Sequence, residues 1–383
     1  MKLQINKGDF LRSWQIAERN TSPKSTINSL SGVLVRASAA DENITLEATD
    51  LKTSVKCIPS GVTVEREGEA VLPVRLVGEL FKMAPTGVFT VSVEDGKGVM
   101  SSGRNQYKFT TYPTREFPVL PASNTATFFC SCAAADLLTA VSEGTVASTV
   151  GEDFPKYLGT TFFRLVNGVL KVVSTDGRRL SLSEFHPSQA GDDSDFLLPL
   201  AGVRELQRLL TGVDSGQQVV VLAERTLAFF QAGSVELSIR RVDAAFPDYE
   251  SILSDRVTNT MEIDKASLVG ALERIDVIVR NSIRTAILTL SPGGDLTIRG
   301  TAQEIGTARE ILDATIDGES MTAAFNTGYL IDGLKAIEGD RVLMNFDGPS
   351  GQMSMYRPGD RDFFYMLMPV KVSDRDLQEE EED

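Results

Sequence analysis

The chain has 383 residues and 41.6 kDa, enough for two or three domains, and its 42% apolar and 24% charged residues exclude wholesale disorder. It offers no apolar run of about 18 residues to span a membrane, and MKLQINKGDF lacks a signal-peptide core, so a cytoplasmic location is expected. A single histidine, His186, sits in a polar loop, which makes a histidine-based triad or metal centre very hard to build, and a net charge of −15 argues against a broad basic coat for nucleic acid.

From the N-terminus the sequence repeats one unit: a short strand, an amphipathic helix, then three strands of alternating polarity joined by Gly, Asn, Asp and Ser turns. Helices are expected near 8–19 and 75–84. Leu11 with Trp14, and Leu80 with Phe81, can face a sheet, while Arg12 and Arg19, and Arg75 and Lys82, recur at seven-residue spacing on the other side. Next comes a strand-like segment on which Cys130 and Cys132 share a face, read as buried reduced thiols. The helix expected near 134–144 carries Asp136 and Glu143 and no base. The one near 201–210 turns Leu206, Leu209 and Leu210 inward and Arg204 and Arg208 outward. Two more helices are expected near 265–279 and 327–337. The segments 7–20, 75–84, 134–144, 201–211, 265–280 and 327–337 together hold 11 basic and 9 acidic residues, so the excess negative charge lies elsewhere. The chain closes on SDRDLQEEEED, an acidic run expected to be disordered.

Several markers return in the same order. Thr49-Asp50, Thr175-Asp176 and Thr301-Ala302 are 126 residues apart, as are Leu72-Pro73 and Leu198-Pro199. Phe325-Asn326-Thr327 lies one residue off that register. Phe117-Pro118, Phe246-Pro247 and Met368-Pro369 close the three copies. The repeat indicates three related domains, 1–123, 124–254 and 255–372, followed by a tail at 373–383, in an α+β fold dominated by antiparallel sheet. No GxxxxGK[ST], GxGxxG or HExxH motif occurs. A carboxylate-pair enzyme would need acids converging in a cleft, and nothing in the sequence specifies one.

The three-fold repeat, TDGRRL in the second copy, FPDYESIL at its end and YMLMPV near the C-terminus together resemble the bacterial DNA polymerase III beta subunit, the sliding clamp, from Met1 to about Val372. The resemblance implies a non-catalytic processivity factor without cofactors. Its fold would be three tandem clamp domains, each of two strand–helix–three-strand units, closed head to tail into a homodimeric ring. Helices would line the hole and antiparallel sheets would form the outer wall. Duplex DNA would be held by topology, so only the inner wall must tolerate phosphates. By family alignment Lys24, Arg75, Lys82 and Arg208 fall on basic inner-wall positions, and Arg204 shares a face with Arg208. The implied partners are duplex DNA, a second copy, the DNA polymerase III catalytic subunit, an ATP-driven clamp loader, and repair polymerases, ligase and mismatch-repair factors; no membrane is involved.

The resemblance also implies a pocket for partner peptides between the second and third domains. Leu158, Thr175, Gly177, Arg179 and Leu180 would belong to it, with Pro247 and Ile252 from FPDYESIL. The C-terminal strand would add Met366, Leu367, Met368, Pro369 and Val370. Aliphatic and methionine side chains suit a pocket that accepts leucine and phenylalanine from varied partners. For ring closure, Tyr107 and Phe109 would meet Val277 and Ile278 of the partner copy. The acidic tail extends past the usual family terminus and could repel acidic partners or compete with them. A tandem β-rich ligand-binding or adhesion protein would also fit the repeats, but it does not predict helices with basic outer faces.

Overall fold

The computed structural model describes residues 1–38, 43–149, 155–254 and 256–372, so the acidic tail lies outside the described residues. β1 (Lys2–Asn6) leads into α1 (Lys7–Arg19), then β2 (Gly32–Ser38), β3 (Asn43–Thr49) and β4 (Thr53–Cys57). After a short β5 (Val62–Arg66), β6 (Gly68–Pro73) leads into α2 (Val74–Lys82), β7 (Val88–Glu94), β8 (Lys97–Ser102) and β9 (Asn105–Thr110). The pattern then repeats with β10 (Thr127–Ala133), α3 (Ala134–Gly144), β11 (Thr160–Val166), β12 (Val169–Thr175) and β13 (Arg179–Phe185). A short β14 (Gln189–Ala190) precedes β15 (Ser194–Pro199), α4 (Leu200–Thr211), β16 (Gln218–Ala223), β17 (Leu227–Ala232) and β18 (Val235–Arg240). The third copy holds β19 (Asn259–Asp264), α5 (Lys265–Val279), β20 (Thr285–Leu290), β21 (Asp295–Ala302) and β22 (Gly306–Asp313). It ends with β23 (Thr315–Asp317), β24 (Met321–Asn326), α6 (Thr327–Ala336), β25 (Arg341–Phe346), β26 (Met353–Arg357) and β27 (Asp360–Leu367).

All six helices start and end within two residues of their expected places, because each combines a clear apolar stripe with a defined start. Asn6, Asp264 and Asn326 cap α1, α5 and α6, accepting hydrogen bonds from the backbone N–H of Gly8, Ser267 and Tyr329. Asp95-Gly96 and Asn167-Gly168 take positive φ at both positions, the geometry of tight hairpin turns. The strands β5, β14 and β23 were not expected. They are largely exposed edge segments; β14 and β23 are two and three residues long, too brief for alternation to mark them, and β5 buries none of its side chains fully.

Strand pairing departs from chain order. The strand leading into each helix pairs with the three-stranded run of the other half of its own repeat: β1 with β7, β6 with β2, β10 with β16, β15 with β11, β19 with β25 and β24 with β20. Pairing also crosses from one repeat to the next, β4 with β18 and β13 with β27. Two compact units result, and the middle repeat is shared between them. The first, residues 1–135, 187–191 and 201–241, holds a five-stranded sheet, β5-β1-β7-β8-β9, and a nine-stranded one, β14-β10-β16-β17-β18-β4-β3-β2-β6. The second, residues 136–186, 192–200 and the described chain from 242 onward, holds β15-β11-β12-β13-β27-β26-β25-β19-β23 and β22-β21-β20-β24.

Helices pack on these sheets through aromatic and aliphatic stripes. In the first unit Phe10 and Trp14 of α1 meet Phe81 of α2 edge-on at 5.5 and 4.8 Å, and Phe81 stacks on Phe89 of β7 at 5.1 Å. Gly78 permits the approach of α2, since a Cβ there would lie 2.9 Å from the Trp14 indole nitrogen. In the second unit Leu268, Leu272, Ile275 and Val279 of α5 share a core with Leu330 and Leu334 of α6. Cys57, Cys130 and Cys132 are buried and unpaired, as expected of structural thiols.

Candidate functional site

The first unit carries a layer of helices whose charged side chains link one to the next. Lys82 of α2 lies 3.4 Å from Glu18 of α1, and Arg19 of α1 lies 3.6 Å from Glu205 of α4. At 100° per residue, Arg12 and Arg19 stand opposite the buried Phe10, Trp14 and Ala17, and Arg204 and Arg208 stand opposite the buried Val203, Leu206 and Leu210. The cations divide into two sets. Lys82 is held by Glu18 and Glu79, and Arg208 by Glu205. Lys24, Arg12, Arg75 and Arg204 are exposed, and among the described residues no carboxylate pairs with them. Such free, flexible cations can meet phosphates without reading bases.

Helices of the second unit differ. Lys335 of α6 pairs with Glu273 of α5 at 2.7 Å, and Arg274 pairs with Glu310 of β22 at 2.7 Å. On α3, Asp136 is exposed but Glu143 is not a surface acid at all. It is 2% exposed, accepts from Ser183 Oγ at 2.6 Å and from Arg357 Nη1 at 2.8 Å, and burial raises its pKa despite both partners.

The residues expected to form a peptide pocket fall on neighbouring elements of the second unit. Leu180 of β13 sits directly across from Met366 of β27, and together with Val173, Leu182 and Tyr249 they make a buried cluster. Phe246 stacks on Phe162 at 4.7 Å and meets Tyr157 edge-on at 6.2 Å. Leu158 is buried, whereas Pro247, Ile252 and Met368 are exposed, so an apolar floor carries an apolar rim. The chain at 368–370 is pinned at both ends. Met368 N–H donates to Arg178 O at 2.9 Å and Val370 N–H to Ala324 O at 2.8 Å, with Pro369 half-buried between them. The hairpin turn above is built by its own side chains. Thr175 Oγ accepts from Gly177 N–H and donates to Arg179 O, Asp176 accepts from the N–H of Arg178 and Arg179, and Gly177 supplies a φ of +83°.

Two of the expected pocket residues are held by contacts of their own. Leu367 points to the opposite face of β27 from Met366 and lies in the core beneath α5 and α6, as strand alternation requires. Arg179 is a buried clasp rather than a free cation. Its guanidinium meets Asp176 at 2.9 Å, Asp332 of α6 at 2.8 Å and Tyr365 Oη at 3.3 Å, and lies 4.1 Å over the Tyr329 ring. Phe162, Phe246, Tyr249 and Phe364 belong to the floor or pack against it and were not singled out. The signal was available for two of them, within FPDYESIL.

Comparison with known proteins decides the family. Sequence models of the DNA polymerase III beta subunit match in order, the N-terminal domain at residues 1–121, the central domain at 134–248 and the C-terminal domain at 250–371. The chain belongs to the DNA polymerase III beta subunit family. Among its relatives, the beta sliding clamp of Synechococcus elongatus is 25% identical over 376 residues and that of Escherichia coli K12 is 25% identical over 373. Each match covers 97% of this chain and all of the relative. Solved structures with the same fold include the DNA polymerase III subunit beta from Pseudomonas aeruginosa (TM-score 0.91, 24% identity) and the DNA polymerase sliding clamp from Bacillus subtilis (TM-score 0.90, 23% identity). Both cover 97% of this chain and are themselves covered completely. The family is a non-catalytic processivity factor, and the chain has its three-domain clamp fold.

Among the described residues every sheet ends on two edge strands, and β9 and β22 are two of these. β9 ends the five-stranded sheet and β22 ends the four-stranded one. Tyr107 on β9 is half-buried, but Phe109 is only 6% exposed, held beneath Gly98 in its own sheet, where a Cβ would collide with its ring. On α5, Val277 is 56% exposed and Ile278 packs partly on the core. Ile311 on β22 is 57% exposed, and its strand reads as an ordinary alternating one. Among the described residues no helix is long and apolar enough to cross a membrane.

Proposed function

We propose that two copies of this chain close head to tail around duplex DNA and tether the replicative polymerase. What carries this reading is the match of all three clamp-domain models in chain order over nearly the whole sequence. The domains would run 1–123, 124–254 and 255–372, and closure would pair β9 of one copy with β22 of the next. Tyr107, Val277, Ile278 and Ile311 would lie at the junction, with Phe109 beneath it.

The helical layer explains how such a ring can hold DNA without gripping it. A helix of 11 residues is about 16 Å long, comparable with the roughly 12 Å major groove, so a helix spanning the groove cannot enter to read base edges. Lys24, Arg75 and Arg204, with Lys82 and Arg208 more weakly because carboxylates hold them, would contact phosphates, leaving sliding nearly level in energy. Carrying no nucleotide-binding motif in its sequence, the chain would depend on a separate ATP-driven loader. The groove floored by Leu180 and Met366 and rimmed by Ile252, Pro247 and Met368 would take leucine and phenylalanine side chains from the polymerase catalytic subunit, the loader and repair or mismatch-repair partners. These events would take place in the cytoplasm.

Retention after loading tests the reading. In high salt the protein should stay on nicked circular DNA and run off linear DNA of the same length, since salt weakens phosphate contacts but not encirclement. Equal loss from both would remove it. In solution the mass should be about 83 kDa, twice the 41.6 kDa chain.

A further inference from the structure

In the first unit the segment 117–123 crosses the nine-stranded sheet and is pinned at both ends. Phe117 and Leu120 pack with Leu34 and Val71, and Ser123 Oγ donates to Glu236 at 2.6 Å. Beside it opens a recess of about 540 Å3, bounded by the segment, by Ile58 and by the β17–β18 turn at Gly233 and Ser234. Cys57 faces α1, its thiol 3.6 Å from Ser13 O, so Lys56 faces the other way, into the recess. Glu47, Lys56 and Glu236 stand directly across from one another on β3, β4 and β18. At the second junction the same ladder reads Val173, Leu182 and Phe364, and the crossing segment sits down on it, with Phe246 stacked on Phe162 and Tyr249 only 2% exposed. A charged ladder cannot be covered in that way without a desolvation cost, so the first crossing leaves a recess where the second is filled.

Two sets of groups there lack partners. Glu47 lies 3.5 Å from Arg36, and Glu236 also accepts from Gln231 at 2.7 Å, but the exposed Lys56 ammonium is free among the described residues. The crossing segment is extended at Phe117 and Ala122, and among the described residues no hydrogen bond reaches the backbone of Val119, Leu120 or Ala122. Such a backbone is a template for strand addition. The rim is apolar, with Val119 96% and Ile58 46% exposed. We propose that the recess binds an extended segment of a partner protein in which one acidic residue lies between two aliphatic ones. Its main chain pairs with residues 119–122 and its carboxylate meets Lys56. Alternation then turns the two aliphatic neighbours outward, against Ile58 and Val119. The site goes beyond the clamp reading and needs no ring closure, because it lies within one unit of one chain.

Methyl NMR on the full-length protein tests it, with the acetylated and amidated peptide Thr-Val-Asp-Val-Thr as the probe. The peptide should shift the Ile58 δ1 and Val119 methyl signals saturably and leave the Met368 ε-methyl, in the groove of the second unit, in place. Replacing the peptide's Asp by Asn, or Lys56→Ala in the protein, should weaken that binding several-fold. Bound peptide should also slow hydrogen–deuterium exchange across residues 117–124. Unmoved Ile58 and Val119 signals at millimolar peptide would overturn the site, and a shift confined to Met368 would assign the peptide to the groove instead. Shifts without slowed exchange would overturn strand addition. Equal affinity of the Asp and Asn peptides would overturn Lys56 as the anchor, and this comparison needs no change to the protein. Retention on circular DNA is scored separately, so failure of the ring reading leaves the methyl result intact.

Discussion

The Arg179 guanidinium joins three elements: its own hairpin through Asp176, α6 through Asp332 and Tyr329, and β27 through Tyr365. The Asp176 side chain is itself only 7% exposed, so removing the arginine strands a buried carboxylate. Arg179→Ala should therefore lose about 3–5 kcal/mol of unfolding free energy, measured by denaturant titration, whereas loss of an exposed ion pair would cost under about 1 kcal/mol. Glu143 carries a pH signature. Its folded pKa is raised above the ordinary 4.5, first by burial, with Ser183 and Arg357 opposing. The folded state therefore binds its proton more tightly than the unfolded chain. The stability it contributes is full below about 4.5 and is lost as pH rises through the folded value. Glu143→Gln cannot titrate, so its stability relative to the wild type should improve from acid to neutral pH in parallel denaturant titrations. A gap that stays constant or widens would mean that Arg357 holds the carboxylate ionised throughout.

The two junctions between repeats are built alike and finished differently. In both, a Thr-Asp pair organises the turn with the same hydrogen bonds, Thr49 to Thr53 O and Asp50 to the next amides, as Thr175 and Asp176 do. Where β13 and β27 set Leu180 against Met366, β4 and β18 set Ser54 against Ser238. Where β12 and β13 set Val173 against Leu182, β3 and β4 set Glu47 against Lys56. An apolar floor therefore exists at one junction only, and this much could be seen in the sequence once the repeat was aligned. The helices were equally legible, since apolar stripes and Asn or Asp caps are local. Strand exchange within each repeat and the sharing of sheets between repeats were not, because alternation reveals which face is buried but not which strand lies alongside. Nor does sequence reveal which cations are already spent on carboxylates. Arg75→Ala with Arg204→Ala should flatten the salt dependence of duplex binding, the log–log slope falling by about 0.9 for every phosphate no longer neutralised. Lys82→Ala should leave that slope nearly unchanged, because Glu18 and Glu79 already hold its ammonium at 3.4 and 3.2 Å.

For the whole molecule, the decisive quantity is how firmly the open edges of β9 and β22 find partners. Neither edge is blunted by a proline, and β22 presents Ile311 at 57% exposure among Arg309, Glu310 and Asp313. An exposed isoleucine on an open edge is a liability for a monomer and an asset for a ring. Burying its side chain is worth about 1.5–3 kcal/mol at each junction, a factor of roughly ten to over a hundred in dissociation constant. Ile311→Asp removes that gain and adds an uncompensated charge, so the dimer should dissociate toward 41.6 kDa in sedimentation at concentrations where the wild type stays near twice that mass. The subunit itself should unfold at nearly the wild-type midpoint, because the position contributes little to its own core. Loss of retention on circular DNA should accompany dissociation, since a ring with an open junction no longer blocks the path out. An Ile311→Asp protein that remained dimeric would exclude β22 as the closing edge.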